Sequence, residues 1–314
     1  MDHLVWFILL IALAIFSLTI DQFFQPGIFV NILRQATFVG ILAVSLSLVI
    51  IAGHLDLSVE STMALAAMLS AILVAKSGAG WGLEMNAFLT LPLALAVGAL
   101  VGFCNGFLTV RLKLSAFIVT LATYIGVRGV SLILSEGRSV YGLPDPFRKI
   151  ASIEILGLPL LVIFLIAIYF LFHFVLTRTP FGRYVYLIGG NPSAPFRAGI
   201  PVNRILIWLF IIAGILAAFA GWLLAARTNG ATANLGLGML FEAFAAVVIG
   251  GVSLQGGTGR LSGVFAGVLL LSAIDTAINV MGMAPHYVQV IRGALVLAAV
   301  LLDSVKIQLR RRYL

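Results

Sequence analysis

The chain has 314 residues, of which 62% are hydrophobic and only 10% are charged, and its mean hydropathy is +1.17. A soluble globular domain carries about a quarter charged residues, so this composition excludes one and indicates that lipid surrounds much of the chain. The single cysteine, Cys104, excludes an internal disulfide. The net charge of +8 comes from bases in short gaps between apolar runs. This distribution favours topology signals over a nucleic-acid surface.

The apolar runs predict an all-α, polytopic integral membrane protein with about ten transmembrane helices in one domain, residues 1–314. A helix needs roughly 20 apolar residues to cross a bilayer core. The runs are too long, and alternate too little, for barrel strands. The first run is kept as a span because it lacks the basic segment and the cleavage site of a signal peptide. The predicted spans are 4–20, 29–52, 57–75, 87–110, 114–135, 155–176, 202–226, 239–252, 261–281 and 286–304.

The basic residues between these spans predict the orientation. Ten spans place both termini on one side, together with eleven Lys and Arg residues, whereas the opposite loops hold five. An excess of Lys and Arg marks the cytoplasmic side, so both termini are expected in the cytoplasm. The eleven are Arg111, Lys113, Arg178, Arg183, Arg197, Arg204, Arg260, Lys306, Arg310, Arg311 and Arg312.

A short internal similarity leaves an inverted repeat open. The stretch Val49–Gly53 precedes a polar break and another span, and Val247–Gly251 does the same. If the two stretches mark halves of opposite topology, the chain shares the inverted repeats of many transporters.

The most basic loop, about 177–204, contains four arginines and no acidic residue. Within it, Asn191 can cap a helix, Pro192 suits the first helical position, and Gly199 suits its end. These start and end signals predict a short helix and favour a docking element for a cytoplasmic partner. An ordinary basic loop that faces anionic lipid is the alternative.

Two other motifs have simpler interpretations. The segment Gly251–Thr258 resembles a phosphate-binding loop, but Gly257 occupies the lysine position, so this chain is not expected to bind ATP. Gly259, Gly263 and Gly267 then follow at four-residue spacing, which predicts a close helix-packing face. A single Asn-Pro-Ser motif at residue 191 is insufficient for a water channel.

No constellation of catalytic or metal-binding residues is found in the sequence. Its four histidines are scattered and form no pair at metal-ligand spacing. We therefore expect a transport subunit rather than an enzyme, with no cofactor and no metal.

Polar residues inside the predicted spans have two interpretations. Such residues are costly in lipid unless they face a cavity or a protein partner. They therefore line a route for a polar, uncharged solute, or they form hydrogen bonds that fix helix packing. Asp275 and Asn279 lie one helical turn apart and are expected to share a face. The candidates are Asn105, Thr120, Thr123, Tyr124, Glu242, Asp275 and Asn279.

Three stretches together resemble the membrane subunit of ribose-type (monosaccharide) ABC importers over nearly the whole chain. They are Gly53–Ser61, Phe181–Ile200 and Ala245–Arg260. The resemblance implies a permease in a bacterial cytoplasmic membrane that pairs with a second permease copy. It also implies a cytoplasmic ATP-binding subunit and a periplasmic or tethered sugar-binding protein. The second stretch is where such permeases dock their ATPase, which implies docking roles for Arg183, Gly190, Asn191, Pro192, Arg197, Gly199 and Arg204.

The sequence departs from the family pattern at several positions. Glu60 stands where a glycine is usual, His54 stands where a glycine is frequent, and Leu240 leaves Glu242 without a second carboxylate. Ile274-Asp275 replaces a frequent pair of asparagines. The resemblance therefore implies a monosaccharide, a sugar alcohol or a related polyol without naming it. The rival hypothesis is an ion-coupled secondary transporter, for which Glu242 and Asp275 are the available titratable groups.

Overall fold

The computed structural model describes residues 2–191 and 193–283, together with residues 287, 290, 291, 293, 294, 297 and 301. Two short antiparallel strand pairs accompany its helices: β1 (Val140–Tyr141) pairs with β4 (Gly230–Ala231), and β2 (Glu154–Ile155) pairs with β3 (Leu158–Pro159). The helices are α1 (Asp2–Thr19), α2 (Pro26–Ile51), α3 (Val59–Val74), α4 (Ala87–Arg111), α5 (Ala116–Leu134), α6 (Asp145–Lys149), α7 (Leu160–Arg178), α8 (Pro180–Gly190), α9 (Ser193–Arg197), α10 (Val202–Thr228), α11 (Met239–Ile249) and α12 (Leu261–Val280).

Helices α2, α4, α5, α7, α10 and α12 are long and apolar enough to cross a membrane. Three shorter apolar helices accompany them among the described residues: Leu4–Thr19 within α1, α3 and α11. These nine helices correspond to the first nine predicted spans. The prediction of a helical, polytopic membrane protein is confirmed. The tenth span, 286–304, lies largely outside the described residues, so the number ten stays a prediction.

The predicted loop 177–204 holds more structure than the sequence analysis expected. Besides α9, it contains α8, an eleven-residue helix that the sequence analysis had treated as loop. The Thr179 hydroxyl accepts a hydrogen bond from the backbone N–H of Gly182 (3.2 Å), and Pro180 begins the helix. The Asn191 side chain accepts bonds from the backbone and hydroxyl of Ser193 (3.2 and 2.7 Å). Gly199 has a φ of +73°. The predicted start and end signals of the short helix are therefore present at Asn191 and Gly199.

Helix α10 forms the centre of the bundle and packs directly against the backbone of α4. A Cβ atom at Gly102 would overlap the carbonyl oxygen of Phe210, and one at Gly214 would overlap that of Gly98. Small residues allow helices in lipid to approach this closely, and the gain is van der Waals contact. Helix α12 packs on α11 in the same way through Gly263 and Gly267. Two of the three glycines of the predicted packing face therefore serve it.

Helices α3 and α11 are each preceded by a non-helical segment. Their 16 and 11 residues span roughly 24 and 16 Å at 1.5 Å per residue. Both lengths fall short of the roughly 30 Å hydrocarbon core. The chain is non-helical just before each of them, at 52–58 and 229–238. Such breaks are tolerated in membranes only where protein or water surrounds the backbone.

The end of α2 and the turn after α11 meet at one end of the bundle. The Gly257 N–H donates to the carbonyl of Ile51 (2.8 Å). Because α2 and α11 both end there, the two helices run in the same direction. The similar stretches 49–53 and 247–251 therefore lie at the ends of parallel helices. That similarity therefore does not relate halves of opposite topology.

Replacement of Gly102 by alanine tests the contact between α4 and α10. The added methyl group cannot fit without separating the two backbones, so we expect a loss of about 1–3 kcal/mol in the free energy of unfolding. The measurement is unfolding of the purified chain in mixed micelles. Gly126→Ala on α5 is the matched control, because a Cβ there meets no atom within 4 Å. Equal stability of the two variants would contradict the packing.

Candidate functional site

A buried carboxylate, Glu60, joins three separate elements of the bundle. It lies in the first turn of α3 and is 1% exposed. One oxygen accepts hydrogen bonds from the Arg128 guanidinium (2.8 Å) and the Tyr124 hydroxyl (3.1 Å) of α5. The other accepts from the backbone N–H groups of Gly238 (2.8 Å) and Leu240 (3.1 Å). A buried charge is tolerated when it is paired and hydrogen-bonded in this way.

The start of α11 explains why a carboxylate fits this position. The first N–H groups of a helix have no partner within the helix, and its N-terminus carries partial positive charge. Gly238, immediately before α11, has a φ of +94°, a conformation that glycine adopts without strain. This turn directs the free N–H groups of α11 towards Glu60. Glu60 therefore satisfies two backbone donors that have no partner within α11.

Arg128 connects α5 to the segment before α11. Its guanidinium donates to the carbonyl of Ala233 (3.2 Å) and to the side-chain oxygen of Asn234 (2.9 Å). It also lies 5.0 Å from the centre of the Tyr124 ring, within the range of a cation–π contact. Its side chain is 14% exposed. Arg128 thus makes contacts with α3, α5 and the segment 229–238 at once.

A second chain of hydrogen bonds runs beside this cluster from the segment before α3 to α5. Asp56 accepts from the backbone and hydroxyl of Ser58 (2.9 and 2.6 Å). The Asn105 amide on α4 donates to the Ser58 hydroxyl (2.8 Å), and the Thr123 hydroxyl donates to the Asn105 carbonyl oxygen (2.6 Å). This network satisfies the interrupted backbone near Ser58 and fixes α4 and α5 against it.

The structure brings together three of the seven polar candidates from the predicted spans. Asn105, Thr123 and Tyr124 lie in the two adjoining networks. Thr120, a further polar candidate, donates to the Ala116 carbonyl within its own helix (2.8 Å).

The other three predicted pathway residues lie elsewhere. Glu242 is buried in the first turn of α11, one turn beyond the atoms that bind Glu60. Asp275 is buried on α12 and accepts from Gln35 of α2 (3.3 Å). Asn279 is exposed near the end of α12, so it does not share the environment of Asp275.

The predicted site residues did not include Glu60, Arg128, Asn234 and Ser58. A signal existed for Arg128, because an ionisable residue inside a predicted span is a functional candidate by itself. Glu60 was noted only as a departure from a family pattern. Its partners Arg128 and Gly238 lie 68 and 178 residues further along the chain, so no local pattern could have joined them.

The predicted docking residues cluster around α8 and α9 at one end of the bundle. Arg183, Gly190, Asn191, Arg197, Gly199 and Arg204 are all exposed there, and Pro192 lies outside the described residues. An apolar cavity of about 350 Å³ separates the two helices. It is lined by Tyr186, Leu187, Gly190, Asn191, Ala194, Pro195, Ala198 and Ile200.

Helix α8 is attached directly to the ends of the membrane helices. A Cβ at Gly189 would overlap the carbonyl of Ile51, so α8 lies against the end of α2 without intervening side chains. The Tyr186 hydroxyl donates to the carbonyl of Gly259 (2.8 Å), in the turn between α11 and α12. A force on α8 therefore acts on α2 and on that turn. Among the described residues, no group of three or more metal-binding side chains is present.

The chain is similar to transport permeases over almost its full length. Residues 28–300 match the family described as branched-chain amino acid transport system / permease component. The chain is 34% identical to the ribose import permease protein of Haemophilus influenzae, over 94% of this chain and 91% of that protein. It is 33% identical to the L-arabinose ABC transporter permease protein of Azospirillum brasilense (97% and 88% covered) and 34% identical to the D-allose transport system permease protein of Escherichia coli K12 (95% and 90% covered). No solved structure matches.

A double-mutant cycle tests the bond between α4 and α5. We expect Asn105→Ala and Thr123→Val to show a coupling free energy of about 0.5–1.5 kcal/mol, because each change removes the same partly buried hydrogen bond. Unfolding in mixed micelles measures the two single variants and the double variant. The control cycle combines Asn105→Ala with Thr228→Val, whose hydroxyl bonds within its own segment. Additive effects in the first cycle would show that the bond contributes nothing.

Proposed function

This chain belongs to the family of transport-system permease components that matches residues 28–300, and we propose that it is the membrane-spanning subunit of an ATP-driven ABC importer. The proposed cargo is a monosaccharide or a related polyol. The chain itself is a transport subunit and not an enzyme. ATP hydrolysis belongs to a separate cytoplasmic subunit in this proposal.

The proposed cargo follows from the relatives and from the charge of the polar cluster. The named relatives carry ribose, L-arabinose and D-allose in their names, and these sugars share a neutral, polyhydroxylated structure. In the cluster, the charge of Arg128 is balanced by Glu60, and Asn105, Thr123 and Tyr124 add neutral polar groups. Such a surface suits hydroxyl groups better than a solute with a net charge. We propose that Glu242 on α11 and Asp275 and Asn279 on α12 line other sides of the same pathway.

The observation that carries the proposal is the attachment of α8 to the membrane helices. Two helices exposed beyond the end of the bundle suit contact with a soluble partner, and the cavity between them suits an apolar side chain. We propose that the ATP-binding subunit docks on Arg183, Gly190, Asn191, Pro192, Arg197, Gly199 and Arg204. Closure of that subunit would move α8, and α8 would move the end of α2 and the turn before α12.

The distribution of basic residues supports an orientation in which this end faces the cytoplasm. Arg178 ends α7, Arg183 lies on α8, and Arg260 precedes α12 beside Tyr186. Arg111 ends α4 at the same end, since Gly106 of α4 packs on Ile207 near the start of α10. An excess of bases marks the cytoplasmic side. We therefore propose a multi-pass protein of the bacterial cytoplasmic membrane with both termini in the cytoplasm.

The exposed faces of the outer helices leave room for the other proposed partners. Only 22% of the membrane-spanning window of α5 is buried, against 89% for α2. Lipid or a second permease copy covers such a face. In this proposal two permease copies, identical or different, enclose the pathway, and a periplasmic or tethered sugar-binding protein delivers the solute.

An ion-coupled secondary transporter is the second candidate. It would use Glu242 and Asp275, both of which are buried. The two carboxylates lie on different helices, and Asp275 contacts α2 through Gln35. This arrangement gives the second candidate less support than the exposed helix pair gives the first.

Charge reversal in the docking element tests the proposal. We expect an ATPase to co-purify with the tagged wild-type chain from native membranes and to be lost from the variant Arg197→Glu plus Gly199→Pro. The change reverses an exposed charge and places proline at a φ that it cannot adopt. Mass spectrometry of the purified material identifies the partner.

The matched control is Arg138→Glu, which reverses an exposed basic residue outside the docking element and should retain the ATPase. Correct insertion of each variant is checked by its yield and by its elution volume. If the intact, abundant wild-type chain brings down no ATPase, the ABC proposal fails and the ion-coupled candidate replaces it.

A further inference from the structure

The ion pair between Glu60 and Arg128 lies inside the membrane-spanning part of the bundle and has no net charge. Arg128 is in the second half of α5, well inside a helix long enough to cross the bilayer. Its guanidinium and the Glu60 carboxylate are 2.8 Å apart. A single buried charge in a membrane is strongly unfavourable, whereas a paired one is tolerated. The pair thus allows a guanidinium to be present at this depth.

The pair lies beside a partly open surface rather than in the centre of the core. Thr123, Tyr124 and Arg128 are only partly buried along one side of α5, and Asn234 is exposed next to Arg128. Tyr124 and Arg128 form a polar strip on a face of α5 that otherwise exposes apolar side chains such as Leu121 and Ile125, and Asn234 lies beside this strip. Lipid is a poor solvent for such a strip, and a wet pathway is a good one.

The hydrogen-bonding capacity of Arg128 is not fully used within the chain. A guanidinium has five N–H donors. Nη1 donates to Ala233 and Asn234, and Nη2 donates to Glu60. Nε is buried and has no hydrogen-bond partner, so it is not open to a solute. The charge of Arg128 is balanced by Glu60, and the second N–H group of Nη2 is the donor left for a further polar group.

We propose that Glu60 and Arg128 form a charge-neutral polar station on the solute route and thereby set its charge selectivity, an inference that rests on the function proposed above. The station consists of Glu60, Tyr124, Arg128 and Asn234. Arg128, Tyr124 and Asn234 present polar groups to the hydroxyls of a passing solute. Glu60 is a positioning residue that orients Arg128 and cancels its charge.

Electrostatics explains why cancellation matters for transport. An unpaired guanidinium in a low-dielectric pathway would attract and retain anions, such as sugar acids, because Coulomb interactions are strong there. A neutral ion pair provides the same hydrogen-bonding groups but does not retain anions. The station therefore favours passage of uncharged polyols over their carboxylate derivatives.

Reaction of a cysteine with charged thiol reagents measures the potential at the station. Leu237→Cys is placed in a Cys104→Ala background, because Leu237 is 62% exposed and adjoins Gly238, whose N–H binds Glu60. In membrane vesicles that contain the full chain and its native partners, the thiol is treated with a methanethiosulfonate carrying either a sulfonate or a trimethylammonium group. The measured quantity is the ratio of the two rate constants, relative to the same ratio for a free thiol in solution.

We expect this ratio to shift in opposite directions when either charge is removed. Glu60→Gln should raise the ratio of anionic to cationic reaction by at least about tenfold, because it leaves Arg128 unpaired. Arg128→Gln should lower it by a similar factor. The double variant should return within about threefold of the starting value, since it is again neutral. A purely structural role of either residue would not produce this pattern.

Another ion pair between residues far apart in the chain provides the matched control. Glu154→Gln breaks the contact between Arg34 and Glu154 (2.6 Å) and should leave the ratio unchanged. The proposal is overturned if neither reagent modifies Leu237→Cys in membranes, because the strip then does not face water. It is equally overturned if the ratio is the same in all variants. The labelling reaction does not require the ATPase, so the two proposals can fail separately. If no ATPase co-purifies with the chain but the labelling ratio still shifts as expected, the ABC function is refuted and the station is supported.

Discussion

Every peptide group inside a bilayer must find a partner within the protein, and the interrupted helices of this chain meet that constraint at Glu60. Its carboxylate binds the free N–H groups at the start of α11 and the guanidinium of Arg128 on α5. Without it, the N–H groups of Gly238 and Leu240 would lose their partner and Arg128 would keep only neutral partners, at a cost of several kcal/mol. This one side chain thus joins α3, α5 and the start of α11.

The same interrupted architecture connects the polar cluster to the proposed docking element. Segment 52–58 leads from the end of α2 to Glu60, and α11 leads from Glu60 towards the turn beside α8. Helix α8 contacts both the end of α2 and that turn. A displacement of α8 therefore has a short, continuous path of backbone to the polar cluster. In the proposed function, this path would couple docking of the ATP-binding subunit to a rearrangement within the membrane.

The sequence predicted those features that depend on composition and on local chemistry. Long apolar runs located nine helices, and Asn191 and Gly199 marked the short helix α9 correctly. Helix α8 was missed because its proline, glycines and arginine suggested a loop, although Gly182, Val185 and Ile188 form a buried stripe at helical spacing. The polar cluster was only half predicted, because its bonds join residues far apart in the chain and follow from tertiary packing alone.

The most direct test of the account is the energy source for uptake. The assembled transporter is reconstituted into proteoliposomes with ATP inside, and uptake is measured for the monosaccharide whose cellular import is lost on deletion of this chain. The account predicts uptake that requires ATP and persists when an ionophore collapses the proton gradient. Uptake that is abolished by the ionophore while ATP is maintained would contradict it and would identify an ion-coupled transporter.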